Sequence, residues 1–284
     1  MRPWTCVGLS RGAAALILLL LLGAVAEAAP KAELWPRWQA HDPAATAEID
    51  HSAWAAFQDR SLVVVEGDAN LVAYGAVIPA DRAALADYIA TLEAVPISAY
   101  ARDEQMAFWI NLYNALVVRL VLDHYPVPSV FEIAGNPGGP EGPWDLQLAA
   151  IDGTPVSLHD IQHRILRPIW RDPRVHYALS CGAVGCPNLQ PEPFRGDRIE
   201  HQLNKAAMAY INDPRCIQVE DDRLIVSSLY GWYKHDFSGT DRTIISHLMA
   251  YAEPRLAMTL QRFDRIRPDI FDSRLNDAAY AAPE

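Results

Sequence analysis

Positive charge is thin in this chain. Lys and Arg number 24 against 35 Asp and Glu, the formal net charge is −11, and no stretch gathers the cations into a run. A protein that follows a phosphate backbone concentrates Lys and Arg on one face or segment, so nucleic acid is excluded as the expected partner. Cysteine is also sparse, at four residues, and neither a finger-type spacing nor an HExxH sequence is present. There is no internal repeat, no low-complexity block and no compositional break, which excludes a repeat array and a linker between domains. Beyond the N-terminal run no stretch is apolar for the ~20 residues that a spanning helix needs.

What is there begins with a leader. Arg2 and Arg11 supply a positive start, Ala13 to Ala26 form an apolar run broken only by Gly23, and Ala26-Glu27-Ala28 places small residues where a signal peptidase cuts. The run falls short of a membrane span, and its flanks match a secretory signal. The rival reading is an uncleaved N-terminal anchor. Cys6 precedes the apolar run, so it is not placed as a lipid acceptor. The expectation is export to a periplasmic or extracellular space, with residues 1–28 removed and a mature chain from about Ala29. Roughly 255 residues then remain, enough for one large domain or two small ones at ~100–200 residues each. Three cysteines survive, Cys181, Cys186 and Cys216. An odd number leaves at least one thiol outside any internal bridge, and an oxidising compartment permits a Cys181–Cys186 disulfide.

Residues 29–49 read as an extended, Pro- and Ala-rich lead-in. A helix is expected from Asp50 to Arg60, strand segments at 62–65 and 71–77, and a helix from Pro79 to about Glu93 with Leu85, Tyr88, Ile89 and Leu92 at core spacing. The longest helix runs from about Asp103 to His124, stopped by Pro126. It is apolar nearly all round, hence buried, yet Glu104, Asn111 and Asn114 fall on one strip. Buried amides and carboxylates need partners, so the strip faces either a polar network or a wet cleft. Asp152-Gly153 favours a hairpin turn, followed by a helix from Ser157 that ends near Pro168 and carries His159 and His163 four residues apart. A strand over 174–181, a helix from Asp197 to Ile211, a hairpin about Asp221-Asp222 and a helix from Asp241 to Tyr251 complete the pattern. The fold class expected is α+β: a single domain over 50–284, with a modest, mostly antiparallel sheet, several helices and one long buried helix over 103–124.

Four ordered blocks carry a family resemblance: AFWINLYNALV (107–117), SLHDIQHRILRP (157–168), VHYALSCGAVGCPNL (175–189) and WYKHDF (232–237). Together they resemble domain of unknown function 547, over roughly residues 70–255. The resemblance implies many exported bacterial relatives and no established reaction. It also implies an acidic residue just before the histidine of the second block, where this chain has Gln162.

The run RVHYALSCGAVGCPNL (174–189) holds His176, Ser180, Cys181, Cys186 and Pro187. One reading makes Cys181 the nucleophile of an acyl transferase or hydrolase acting on an amide or ester. His163 or His176 would be its base, Asn111 would orient the ring or stabilise charge, and the SCGAVG amides would face an oxyanion. Glu104, Trp109, Asn114, Ser180, Cys186 and Asp236 are the accompanying binding candidates. A second reading is a non-catalytic binding domain locked by Cys181–Cys186. A third, weaker one is zinc held by His159, His163, His176 and the two cysteines. No cofactor is implied, and the substrate class is open among a small molecule, a peptide and a cell-envelope component.

Overall fold

The computed structural model describes residues 30–137 and 142–280. The leader lies outside the described residues, as does part of the Gly/Pro loop at 135–143. About 50% of the described residues are helical and 12% are strand, an α+β fold. Among the described residues the strands form three small sheets in place of the one sheet expected: two hairpins, and a three-stranded unit with one parallel pair.

Helix α1 (Ser52–Ser61) leads through the short pair β1 (Leu62–Val63) and β2 (Leu71–Val72) to α2 (Pro79–Glu93), whose inward residues are the four expected. Then comes α3 (Arg102–His124). Every residue of α3 from Glu104 to Val118 is buried, as are Leu120 to Leu122. By length and composition α3 could cross a membrane, but 94% of its apolar window lies inside the protein. At about 1.5–3 kcal/mol for each large apolar side chain fully buried, α3 is the axis on which one core condenses. Trp38, Trp54, Phe57, Leu92 and Ile165 belong to that core.

The hairpin β3 (Gln147–Ile151) and β4 (Thr154–Ser157) turns at Asp152 and Gly153, φ 49° and 70°, as that dipeptide favours. The following helix departs from expectation in an instructive way. It does not stop at Pro168; it is a π-helix over Asp160–Leu166 and continues as α4 (Arg167–Trp170). Proline has no N–H, so the carbonyls four and five residues back, Arg164 and His163, lose a helical donor at that position. The lead-in supplies replacements: Glu33 N donates to the His163 carbonyl at 3.0 Å, and Trp35 N to that of Arg164 at 2.9 Å. A proline break thus docks the N-terminal strap against this helix.

The strand expected over 174–181 is also corrected. Asp172 accepts from the Arg174 amide through its side chain and from the Val175 amide through its carbonyl, which turns the chain into α5 (Val175–Ala178). Only Leu179 onward is extended; a short apolar run does not distinguish the two forms by periodicity. After α6 (Ile199–Ile211) come β5 (Ile217–Glu220), β6 (Arg223–Ser227) and α7 (Leu229–Trp232). They precede α8 (Asp241–Tyr251), α9 (Pro254–Leu260) and β7 (Arg267–Ile270), which pairs parallel to β6. These elements build a second core about Tyr177, Tyr210, Tyr230 and Phe237. Helix α5 sits between the two: Val175 and Ala178 belong to the first core and Tyr177 to the second. His176 is carried at this seam.

Candidate functional site

The polar strip of α3 is a set of clamps. Asn111 donates to the Phe194 carbonyl at 2.7 Å and accepts from the Phe194 amide at 2.9 Å. Asn114 does the same across the α5 exit, donating to Ala178 O and accepting from Ser180 N, both at 2.9 Å. Glu104 accepts from the amides of Ile49 and Gly196 at 2.6 and 3.1 Å. Each side chain mimics a missing backbone strand and fixes one loop. The strip is therefore the polar network of the two expectations, and Asn111 hydrogen-bonds to the Phe194 backbone, not to an imidazole. Trp109 is 1% exposed and packs edge-on to Trp38 and Phe108, inside the core. Asn114→Ala is expected to cost about 2–3 kcal/mol, since it leaves a buried N–H and a buried carbonyl unpaired. Urea unfolding at unchanged slope measures it.

The cysteine loop is closed twice over. Cys181 and Cys186 are joined by a disulfide, Cα–Cα 5.8 Å, and Cys186 is buried. The glycines do permit close backbone approach, but what approaches is residues 272–276 of the same chain. Val184 N donates to Arg274 O, Gly185 N to Asp272 O, and Asn276 N to Gly182 O at 2.8–3.0 Å. At Gly185 a Cβ would meet the Asp272 nitrogen at 2.5 Å. The amides of Val184, Gly185 and Cys186 are therefore not free for an oxyanion, since Cys186 N donates to Ala183 O. Ser180 is buried, held by Asn114.

The titratable residues gather elsewhere, around Asp236. Arg167, 5% exposed at its side chain, donates Nε to Asp236 Oδ2 at 2.6 Å and Nη2 to Oδ1 at 3.1 Å. His176 Nε2 lies 2.7 Å from the same Oδ2. Burial alone would raise this carboxyl, but the hydrogen bonds from His176 and Arg167 outweigh it and hold Asp236 far below the usual carboxylate range. An ionised carboxylate only accepts, so His176 donates from Nε2. Burial keeps His176 neutral against the pull of Asp236, which leaves Nδ1 with a lone pair. That atom is buried and meets no hydrogen-bond partner among the described residues.

His163 is held the other way round. Arg167 Nη1 points at His163 Nδ1, 2.8 Å away. A guanidinium has no acceptor, so Nδ1 takes the hydrogen bond and the ring proton sits on Nε2. Burial, then the charge of Arg167, push His163 well below its ordinary value. His163 is thus a neutral donor at Nε2, not a base, and of the two candidate rings His176 alone has a lone pair that no protein donor occupies.

Tyr233 ties the group together. Its ring stacks on His176 at 4.0 Å and on His163 at 6.1 Å, and the Arg167 guanidinium lies over it at 5.0 Å. Gln162 donates to the Tyr233 hydroxyl at 3.0 Å and accepts from Tyr113 of α3 at 3.5 Å. Gln162 therefore orients the tyrosine, where the resemblance implied an acid beside the histidine. The rings of His159 and His163 are 4.8 Å apart, but a guanidinium faces the His163 nitrogen that zinc would need. No group of three or more His, Cys, Asp or Glu positioned for a metal forms among the described residues. Of the sequence candidates, then, His163, His176 and Asp236 come together, without a hydrogen bond to Cys181. Arg167 was missed. Its signal was its place four residues after His163 on one helix face, where a buried cation demands a carboxylate.

Above this cluster lies a cavity of about 430 Å³ between the strap and the turn that carries Asp236. The strap reaches it directly, since Pro30 O accepts from Arg167 Nη1 at 2.6 Å.

Residues 97–211 match the family model described as "Protein of unknown function, DUF547". Over these residues the chain is similar to that family. The match runs from the turn before α3 to the end of α6, narrower than the 70–255 expected, and it stops short of the WYKHDF block with Tyr233 and Asp236. No curated protein and no solved structure matches the chain.

Proposed function

We propose that this protein is an exported, non-catalytic binding domain whose Cys181–Cys186 bridge locks the loop after α5, and whose ligand site is the cavity beside Arg167 and Asp236. The observation that carries the reading is the bridge itself, set in a loop whose Val184 and Gly185 amides donate to the carbonyls of Arg274 and Asp272. A catalytic thiol must be free and ionised; here the sulfur is bonded and no imidazole reaches it. The third cysteine of the mature chain, Cys216, is buried in the second core, and burial pushes its thiol up to about 12, which makes it inert.

Thiol counting on the mature chain tests this. No thiol is expected to react in the native protein, one on unfolding without reductant, and three on unfolding with reductant. Two further thiols reacting in the native, unreduced state would overturn the reading. That result would restore thiol-dependent acyl transfer or hydrolysis by Cys181. Closing so short a loop contributes only about 2 kcal/mol, so a Cys181→Ser/Cys186→Ser chain is expected to stay folded and keep its ligand.

One observation favours a second reading. His176, oriented by Asp236 and left with a buried lone pair, has the arrangement of a base in amide or ester hydrolysis. Hydrolysis that survives Cys181→Ser but is lost in His176→Gln would select it.

A further inference from the structure

The binding reading, on which this inference rests, leaves the ligand's chemistry open; the walls of the cavity narrow it. At about 430 Å³ the space lies within the ~300–1,000 Å³ range of small-molecule sites. One wall is apolar: Ala32 and Leu34 from the strap face Pro168. Leu34 is 40% exposed, an uncovered apolar side chain at the rim.

The other wall carries Arg167, Arg171 and Asp236. A cation would find no free carboxylate there. Asp236 already accepts from Arg167 and His176, and the neighbouring Asp172 accepts from Arg174 Nε at both oxygens, 3.0 Å each. The cations are less fully matched. Arg167 has five N–H groups; four point at Asp236, Pro30 and His163, so one Nη2 hydrogen is left over. Arg171 is exposed at the rim and makes no ion pair among the described residues, in a chain whose net charge is −11.

The backbone at Arg171 gives an independent pointer. Its φ of 53° lies in the left-handed region, where it ends α4 with its N–H on the Arg167 carbonyl. Glycine adopts this conformation without penalty, whereas an L side chain there costs about 1–2 kcal/mol. A long cationic side chain thus stands at the position of this helix end that glycine would fill without strain.

We propose that the cavity takes an organic anion built of a carboxylate head and a short apolar tail. The carboxylate lies between Arg171 and the remaining Nη2 hydrogen of Arg167, and the tail runs along Ala32, Leu34 and Pro168. Binding displaces no existing ion pair.

The test is isothermal titration of the mature chain with sodium octanoate at pH 7 and low salt, with acetate as the head alone and octanol as the tail alone. Saturable octanoate binding is expected, with acetate and octanol each at least about tenfold weaker. Arg171→Gln, on an exposed side chain, is expected to weaken octanoate about tenfold or more, the loss of one charge-assisted hydrogen bond. Leu34→Asp, which sets a like charge beside the tail, is expected to weaken it comparably. No octanoate binding, unchanged binding by Arg171→Gln, or acetate and octanol binding as well as octanoate would each overturn the proposal. Thiol counting on the same sample separates the two failures. An intact bridge without octanoate binding removes only the ligand assignment, whereas native reactive thiols remove the binding-domain reading itself.

Discussion

Asp236→Ala is expected to lower the unfolding free energy by about 3–5 kcal/mol, the usual result of removing one partner from a buried ion pair. The geometry puts this site at the upper end of that range. Arg167 is almost fully covered, and the substitution strips acceptors from both Nε and Nη2 while also unpairing His176 Nε2. Three buried donors lose their partner through one side chain, across the seam between two cores. Asp236→Asn keeps one acceptor without the charge and is expected to fall between. Replacing the pair together, as Arg167→Met with Asp236→Leu, removes the charge as well as its partner and is expected to recover much of the loss. Urea unfolding of the four chains measures these differences. A loss below about 1 kcal/mol for Asp236→Ala would mean that Arg167 is hydrated, and the cluster would then be a surface ion pair.

The parts that were legible in the sequence are those that depend on near neighbours. The apolar spacing of α2, the nearly continuous apolarity of α3 and the Asp152-Gly153 turn each act within a few residues, and each has the expected form. Pro168 could be read only halfway. The sequence says that a helical donor is missing, not that Glu33 and Trp35, over a hundred residues earlier, provide it. The α3 strip was legible as polar and buried, while its partners, the backbones of Ile49, Gly196, Phe194, Ala178 and Ser180, are set by tertiary packing. The site shows the same division. His163, His176 and Asp236 could be named as chemistry-bearing, but which of them act together depends on how the 229–237 turns meet the π-helix. Cys181 stood out because cysteine at the end of an apolar run has two uses, nucleophile and bridge, and sequence distance does not separate them.

Stability is expected to fall steeply as the pH drops from about 6.5 to about 4, before ordinary carboxylates titrate. Burial is the leading cause at every buried imidazole: it lowers His51 and His247 to about 4, His163 well below its ordinary value, and His176 in the same direction. In that window the unfolded chain takes up protons that the folded chain refuses, so unfolding gains about 1.4 kcal/mol per pH unit for each such histidine. The stabilisation is complete above about pH 6.5 and is lost as the pH falls through the folded values. His51 isolates one proton of this effect. Its Nδ1 is bonded to Tyr88 at 2.7 Å, its Nε2 is buried without a partner among the described residues, and it stands apart from the Asp236 cluster. His51→Gln is therefore expected to flatten the pH dependence by about one proton, whereas His247, only partly covered, contributes less than its shift alone suggests. Asp236 acts in a lower window. Held below the usual carboxylate range, it stabilises the fold above about pH 4 and releases that contribution only in stronger acid. Urea midpoints at half-unit steps from pH 7.5 to 3.5 resolve the histidine window. A flat profile between pH 7 and 5 would mean that the imidazoles titrate as they do in solvent, and the buried chain from His163 through Arg167 and Asp236 to His176 would not hold.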